Sequence, residues 1–268
     1  MRITSLELKI IEKLNYKTVL PLGDKPCNIE LPFIKGEISG LPDDLDAIIV
    51  TSDLQGLVVD NGKEELLGEV LPEFLKLFLE VEFPDLKPEK IGIFLCGDFF
   101  ATLTKRGGLG DVRNVWNKFN LNFKWVAGIS GNHDSFGTTI EFEKLKSSEG
   151  IYYITKETIK IGNLKISGIS GIIGKPEKPN RIMEEEYLKL LEKLLSKEPD
   201  VLLLHQTPDF PALNLRGNSK IRDILEKCES TLVFCGHNHW QHPLVDLKNK
   251  TQILNADSRV IILINKKV

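Results

Sequence analysis

Short apolar runs of strand length punctuate the first half of the chain, at Ala47–Thr51, Ile91–Cys96 and Phe123–Ile129. Such runs between turn signals are typical of buried strands. Apolar side chains over Lys63–Glu80 recur at the spacing of a helix with one buried stripe, and Asp111–Phe119 is predicted as a second helix that begins at an acidic residue. The order strand, helix, strand, helix, strand predicts a parallel sheet, in which ligands bind beyond the carboxyl ends of the strands.

The second half of the chain is richer in short strands. Thr158–Ile161 and Leu164–Ile169 flank the pair Gly162-Asn163, which predicts a hairpin. Helices are predicted at Ile182–Ser196 and Ser219–Cys228, the second capped by its first residue. Helical units followed by hairpins indicate two sheets that face each other, with the helices outside. The remaining apolar runs predict strands at Ile151–Ile154, Val201–Leu204, Thr231–Cys235, Pro243–Leu247, Thr251–Asn255 and Val260–Ile264.

Residues 1–46 carry the weakest pattern in the chain. Ile3–Tyr16 alternates loosely and is predicted to form an edge strand. Repeated proline and glycine between Pro21 and Pro42 predict a loop-rich passage with short extended pieces. We interpret this segment as an N-terminal extension or added strand that packs on the main domain, so residues 1–268 are expected to form a single domain.

Size and charge narrow the functional class. The chain has 268 residues, of which 41% are hydrophobic and 27% charged, and this is enough for a sizeable globular core. Its formal net charge of −3 gives no general attraction to nucleic acid or to anionic membranes. The four cysteines form no CxxC pair and are interpreted as free thiols. Since no secretory leader or membrane-length apolar run is visible, we expect a cytoplasmic protein with no membrane partner.

Polar motifs follow the predicted strands at five places in the chain. Each motif is weak alone, because Gly-Asp is a common turn and a single histidine at a strand end is more often structural. Together they hold four of the five histidines. The motifs are Ser52-Asp53-Leu54-Gln55-Gly56, Gly97-Asp98, Gly131-Asn132-His133-Asp134, His205 and Gly236-His237-Asn238-His239. Taken in order, they resemble the calcineurin-like metallophosphoesterase family over residues 47–258, including a late Asn255-Ala256-Asp257-Ser258 run.

The resemblance implies both a fold and a metal centre. The implied fold is a four-layer α/β/β/α sandwich, with two facing mixed sheets and outer helices. The implied centre binds two divalent metal ions, with Asp98 shared by both. His133 would bind no metal and would instead assist the leaving group. The other implied ligands are, for the first metal, Asp53 and His239 and, for the second metal, Asn132, His205 and His237.

The chemistry explains why such residues are needed together. Hydrolysis of a phosphate ester at neutral pH requires a strong nucleophile and neutralisation of the phosphoryl oxygens. Two metal ions about 3.5–4 Å apart supply both, because they lower the pKa of a bridging water and clamp the transition state. We expect Mn²⁺ first, with Mg²⁺, Fe, Zn or Ni as alternatives.

Two residues depart from the family pattern. Gln55 stands where the first motif usually has histidine, and it can offer a metal only its amide oxygen. The first metal is therefore expected to be held loosely or to be an oxygen-preferring ion. Ala101 stands where an aspartate often orients the catalytic histidine, so His133 needs another orienting partner.

The expected activity is hydrolysis of a phosphodiester or nucleotide pyrophosphate through a metal-bridged hydroxide. A small phosphorylated substrate, such as a nucleotide, fits better than nucleic acid, because no dense basic stripe is present. The alternative is a catalytically weak or inactive scaffold or binding protein of the same fold, which the presence of His133 disfavours. The sequence does not indicate an oligomeric state. The candidates for a phosphate contact are first Arg216, in the loop after His205, and then Arg106, Arg113 and Arg181.

Overall fold

The computed structural model describes residues 1–20, 25–60 without the side chain of Asp60, 62–105 and 107–266. The strands are, in chain order, β1 (Arg2–Val19), β2 (Pro26–Ser39), β3 (Ala47–Ser52), β4 (Leu57–Asp60), β5 (Lys63–Leu66), β6 (Ile91–Leu95), β7 (Gly110–Asp111), β8 (Trp125–Gly128), β9 (Asp134–Ser135), β10 (Ile151–Tyr153), β11 (Glu157–Ile161), β12 (Leu164–Ile169), β13 (Ile172–Ile173), β14 (Arg181–Ile182), β15 (Val201–Leu204), β16 (Leu232–Cys235), β17 (Leu244–Asp246), β18 (Gln252–Asn255) and β19 (Arg259–Asn265). The helices are α1 (Leu67–Glu82), α2 (Arg113–Asn122), α3 (Thr139–Lys146), α4 (Glu184–Leu195) and α5 (Ser219–Leu225), with short 3-10 helices at Pro88–Lys90 and Pro211–Leu213.

Two large sheets contain most of these strands. The first has nine strands in the order β10-β8-β6-β3-β19-β2-β1-β4-β5, and its strands from β10 to β3 are parallel. The second has six strands in the order β11-β12-β15-β16-β18-β17, parallel at its centre and antiparallel at both edges. The β11–β12 pair confirms the predicted hairpin. The pairs β7–β9 and β13–β14 form two small additional sheets.

Alternating side chains give each sheet one apolar core on each face. In β3, Ile49 packs in a core with α1 and α2, whereas Ile48 faces the second sheet. In β15, Leu203 joins that inner core, whereas Leu202 packs in a third core with α4 and α5. The layers are therefore helices, first sheet, second sheet and helices, which confirms the predicted four-layer sandwich.

The loop-rich prediction before residue 42 is wrong where the structure describes that segment. Pro26–Ser39 forms one long strand, β2, which pairs with β1 on one side and with β19 on the other. Pairing with β19 begins only at Phe33. Pro26 and Pro32 precede that point, so their missing N–H groups do not interrupt a strand that is paired on both sides. Pro21 and Gly23 lie outside the described residues.

Two other predictions are wrong, one for the place of a strand in the sheet and one for the start of a helix. β1 is not the edge strand, because β4 pairs with it at Lys17 and β5 ends the sheet. Lys63–Leu66 forms β5, so α1 begins at Leu67 rather than at Lys63. Helix α3 was not predicted.

Within the described residues, no helix is both long and apolar enough to cross a bilayer.

The predicted start of α2 shifts by two residues, and the predicted cap of α5 shifts by one, although α5 begins at Ser219 as predicted. Asp111 lies in β7 rather than in α2, but its Oδ1 accepts the backbone N–H of Arg113, the first residue of that helix. The cap of α5 is Asn218, whose side chain accepts the N–H of Ile221, and not the predicted Ser219. In both cases the polar side chain that accepts a free backbone N–H group at the helix start lies just before the helix.

Helix α3 begins with a reciprocal cap that can be tested. Thr138 accepts the backbone N–H of Glu141, and the Glu141 carboxylate accepts the N–H of Thr138. We expect Thr138→Ala to lower the free energy of unfolding by about 1 kcal/mol in urea denaturation, because helix caps contribute about that much. The control is Ile140→Ala, at an 82% exposed position of the same first turn. Equal losses in the two variants would contradict the capping role.

Candidate metal centre

The polar motifs lie where five strands of the two sheets end. β3, β6 and β8 of the first sheet lead into Asp53, Asp98 and Asn132, and β15 and β16 of the second sheet lead into His205 and His237. The strands within each set are parallel, so their carboxyl ends point to the same edge. The candidate site is therefore built between the two sheets, on short loops that are fixed to rigid strands.

Three of these residues have a left-handed backbone. The angle φ is 55° at Asp53, 60° at Asp98 and 70° at His237, a region that costs a residue with a side chain about 1–2 kcal/mol. The N–H of Asp53 donates to the Gly97 carbonyl over 2.8 Å. The N–H of His237 donates to Asp53 Oδ2 over 2.9 Å. The strain is thus maintained by contacts among the motifs themselves, as is common at functional sites.

The Asp134 carboxylate ties together the loops that follow β6 and β8. Its Oδ2 accepts the backbone N–H groups of Asp98 and Gly131, each at 2.8 Å. Its Oδ1 accepts the N–H of Phe99 at 2.7 Å. Burial and the nearby Asp98 raise the pKa of Asp134 to about 6, against the opposing effect of these three donors. Asp134 belongs to the Gly131-Asn132-His133-Asp134 motif, but the sequence indicates no role for it, and the structure shows that it holds Asp98 in position.

Two motif glycines allow the loops to approach this closely. A Cβ atom at Gly131 would lie 2.0 Å from Asp98 Oδ1, and one at Gly236 would lie 2.3 Å from Asp53 Oδ2. Both distances are far below van der Waals contact. Any side chain at either position would push an acidic residue of the site away, so both positions require glycine.

Asp98, His205 and His237 form a compact group of possible metal ligands. Each offers one ligand atom, and these atoms lie within 4.8 Å of one another. His205 Nε2 is 3.2 Å from Asp98 Oδ2. Because His205 Nδ1 donates to the Cys96 carbonyl over 2.7 Å, Nε2 of the neutral ring is the atom left to bind a metal. Imidazole and carboxylate groups in this arrangement suit a divalent transition metal.

Unpaired buried atoms provide a second indication that a cation fits here. Among the side chains that the structure describes, five buried polar atoms have no hydrogen bond, and Asn132 Oδ1 is one of them. His205 Nε2 is another, although it lies 3.2 Å from Asp98 Oδ2. Buried polar atoms normally have partners. The unpaired amide oxygen of Asn132 therefore fits a divalent metal ion.

The charges in the group shift the protonation of its members. Burial opposes a charge on His205, but Asp98 and Asp53 outweigh burial and raise its pKa to about 10. Burial and the neighbouring His205 lower the pKa of His237 to about 4. Burial and Asp257 raise the pKa of Asp53 well above its usual range. Metal ligands must be deprotonated, so a bound cation would displace protons from this group.

The residues predicted for the first metal are grouped less closely. The amide of Gln55 donates from Nε2 to Asp98 Oδ2 over 3.3 Å, and rotation of the amide would present Oε1 instead. The His239 side chain is 57% exposed, and its Nδ1 lies 3.4 Å from Asp257 Oδ1. The guanidinium of Arg259 lies 3.1 Å from Nε2 of the same ring. The structure therefore does not bring His239 into the group around Asp98, and metal binding by His239 and by Gln55 stays a prediction.

The orienting partner of His133 is a backbone carbonyl. His133 Nδ1 is 2.9 Å from the Gly108 oxygen, which can only accept, so Nδ1 carries the proton. The backbone N–H of His133 donates to Asp98 Oδ1 over 2.9 Å. Nε2 then points to the site, 3.9 Å from Asp98 Oδ2. The carbonyl of Gly108 thus orients His133 in place of the aspartate that the family often has where this chain has Ala101. No sequence signal identifies a backbone partner of this kind.

The arginine candidates receive little support from the structure. Arg216 is exposed, and its proposed phosphate contact stays a prediction. Arg113 is held by ion pairs with Asp111 at 2.6 Å and with Glu141 at 2.8 Å, so its guanidinium is already occupied. Arg106 lies outside the described residues.

Comparison with known proteins identifies the family. A sequence model of the calcineurin-like phosphoesterase family matches residues 47–241. The chain belongs to this family, which places it among the metal-dependent phosphoester hydrolases and agrees with the possible metal ligands found in the structure. A search of curated proteins gave no match.

Several solved structures are similar to the chain at low identity. A hypothetical protein from Thermus thermophilus is 14% identical, with a TM-score of 0.45, over 78% of this chain and 75% of that one. The sulfate thiohydrolase SoxB from Thermus thermophilus, in complex with glycerol, is 14% identical, with a TM-score of 0.43, over 81% of this chain and 53% of that one. This chain therefore spans about half the length of SoxB. A protein of unknown function from Aquifex aeolicus is 15% identical, with a TM-score of 0.33, over 81% of this chain and 95% of that one. These likenesses are too distant to bear on function.

Replacing Asp134 tests the contact that holds the two loops. We expect Asp134→Asn to lower the free energy of unfolding by about 2 kcal/mol, because an amide cannot accept from all three N–H groups and its own NH₂ faces those donors. Urea denaturation measures the loss. The exposed Asp85→Asn serves as the control and should be nearly neutral. An unfolding free energy of Asp134→Asn within error of the unmodified protein would contradict the role given to this carboxylate.

The raised pKa of His205 predicts that metal binding depends on pH. Without metal, a pKa of about 10 keeps His205 protonated at neutral pH, and a metal must displace this proton. Affinity should therefore rise with pH, by at least about tenfold per unit between about pH 6 and 8. Calorimetric titration with Mn²⁺ in two buffers of different ionisation enthalpy should show release of one or more protons. An affinity that is independent of pH would contradict the assignment of His205 as a ligand.

Proposed function

We propose that the chain hydrolyses a phosphodiester or a nucleotide pyrophosphate with two divalent metal ions, Mn²⁺ first among them. The observation that carries this proposal is the group of buried Asp98 and His205 and half-buried His237, whose ligand atoms lie within 4.8 Å of one another. The buried side-chain oxygen of Asn132, which directly precedes His133 and has no hydrogen-bond partner, supports it.

The chain's residues divide between two metal positions. When bound, the two cations would supply an activated water and neutralise the phosphoryl oxygens. The donors at the first position include carboxylate and amide oxygens, which suit Mn²⁺ or Mg²⁺. We assign to the second position Asn132, His205 and His237, to the first position Asp53, Gln55 and His239, and to both Asp98.

His133 is the residue that we propose to assist the leaving group. Its Nδ1 proton is committed to the Gly108 carbonyl. A second proton on Nε2 can then be donated to the oxygen that departs, which is the usual task of a general acid. The side chain is 24% exposed, so a substrate can reach it.

A cleft beside the proposed first metal position has room for part of a substrate. It measures about 110 Å³ and adjoins Asp53 and Gln55. We expect it to take a substituent of the phosphodiester or pyrophosphate.

Activity measurements test the proposed reaction. With Mn²⁺, the protein should hydrolyse a chromogenic phosphodiester, and chelator should abolish turnover because the phosphoryl charge is then no longer neutralised. We expect His133→Ala to lower kcat by about 100-fold or more, which is the usual contribution of a general acid. Mn²⁺ affinity should change little, because His133 is not assigned to a metal.

The fifth histidine of the chain provides the matched control. His242 is exposed and lies outside the motifs, so His242→Ala should keep full activity. Turnover that survives both chelation and His133→Ala would rule out the proposed mechanism. Absence of turnover with every divalent metal and every phosphodiester or pyrophosphate tested would favour the scaffold alternative instead.

A further inference from the structure

A cleft on the Gln55 side of the site is walled by a part of the chain that the family match does not include. The family match covers residues 47–241, whereas the hairpin of β1 and β2 precedes it. The end of this hairpin reaches the cleft, together with Asp53 and Gln55 of the first motif. The hairpin residues in the cleft wall are Tyr16, Thr18, Val19, Leu20 and Ile29.

The hairpin is fixed to the first motif by direct contacts. Thr18 Oγ1 donates to the Gln55 carbonyl over 2.6 Å. The ring of Tyr16 is buried and packs on Gly56 so closely that a Cβ atom there would lie 1.9 Å from Tyr16 Cδ2. The wall is therefore held rigidly beside Gln55, which a binding surface requires if it is to select among substrates.

The opposite wall is the loop that follows Asp98. It contributes Phe100, Ala101 and Thr102 to the cleft, and further along Lys105 and Gly107. A Cβ atom at Gly107 would lie 3.1 Å from His133 Cε1, so this wall also touches the proposed general acid. Gly107 thus places one edge of the cleft beside the side chain that we propose to protonate the leaving group.

The chemistry of the two walls indicates what occupies the cleft. Val19, Leu20 and Ile29 on one side and Phe100 on the other present apolar surface. Polar groups of Thr18, Thr102 and Ser258 also line the cleft. Lys105 is exposed on the loop side and supplies a positive charge that suits a phosphoryl group. This mixed lining, with apolar surface on both sides and a cation nearby, fits an aromatic ring attached through phosphate.

We propose that this cleft binds the leaving group of the substrate, and that this group carries an aromatic ring. The inference rests on the proposed function, because it takes the substrate to be a phosphate ester or pyrophosphate. It adds the chemical class of the substituent and the part of the chain that selects it, the β1–β2 hairpin.

Two phosphonates can test ligand binding in the cleft without turnover, because they contain no P–O ester bond that the enzyme could cleave. Phenylphosphonate and methylphosphonate differ only in the group that would enter the cleft. Calorimetry on the Mn²⁺-loaded protein should show phenylphosphonate binding at least about tenfold more tightly, as expected for burial of an apolar ring.

Leu20→Ser should reduce this preference several-fold. Leu20 is 46% exposed, so the substitution is not expected to disturb folding. Leu8→Ser is the matched control, because Leu8 lies in β1 of the same hairpin, is 56% exposed and lies outside the cleft wall. As a second variant, Ala101→Leu should fill the cleft and weaken phenylphosphonate binding while methylphosphonate binding is kept.

The outcomes separate this inference from the proposed function. The aromatic leaving-group cleft would be overturned by equal affinities for the two phosphonates or by binding of neither. A preference for the ring that Leu20→Ser and Ala101→Leu both leave intact would also overturn it. These outcomes hold even if the protein is an active phosphodiesterase. A ring preference that these variants remove would support the cleft even if no tested ester is hydrolysed, in which case only the proposed reaction would fail.

Discussion

Three backbone N–H groups from two loops converge on the buried carboxylate of Asp134, and the geometry of the site depends on this convergence. The contacts fix the left-handed backbone at Asp98 and bring the loop after β8 against the loop after β6. Asp98 in turn receives the backbone N–H of His133 and lies 3.2 Å from His205. One carboxylate therefore positions Asp98, the proposed general acid and, through Asp98, a histidine from the other sheet.

The same arrangement concentrates negative charge in a buried place. Asp98 and Asp134 are adjacent, and their proximity raises the pKa of Asp134. Asp257 does the same to Asp53. Neighbouring buried carboxylates disfavour each other's ionisation unless a cation or proton balances their charge. In the protein alone, protonation of His205 provides part of this balance. Divalent cations would do so more completely, which is why this geometry suits metals better than a purely structural role.

The sequence predicted the layers and the motif placement because both follow from local patterns. A buried strand such as Val201–Leu204 begins and ends with an uninterrupted apolar run, so its bounds can be predicted, and each motif follows such a run directly. β2 was missed because its prolines argue against a strand, and only its neighbours reveal that pairing with β19 begins after them. The partner of His133 was missed because the Gly108 carbonyl is a backbone group that any residue could supply. No role for Asp257 was predicted, because its position beside His239 depends on pairing between Ser52 and Asp257, which are far apart in the chain.

The departures from the family pattern fall on one side of the site. Asp98, Asn132, His205 and His237 match the pattern, and they include the group of ligand atoms that the structure brings together. Gln55 and Ala101 depart from it, and both line the cleft that the β1–β2 hairpin closes. A smaller side chain at Ala101 opens space there, and Thr18 holds the backbone of Gln55 to the hairpin. Gln55 weakens the first motif as a metal ligand and Ala101 removes the usual orienting aspartate, and both positions line the same cleft. This coincidence is the reason to attribute them to substrate selection rather than to loss of function.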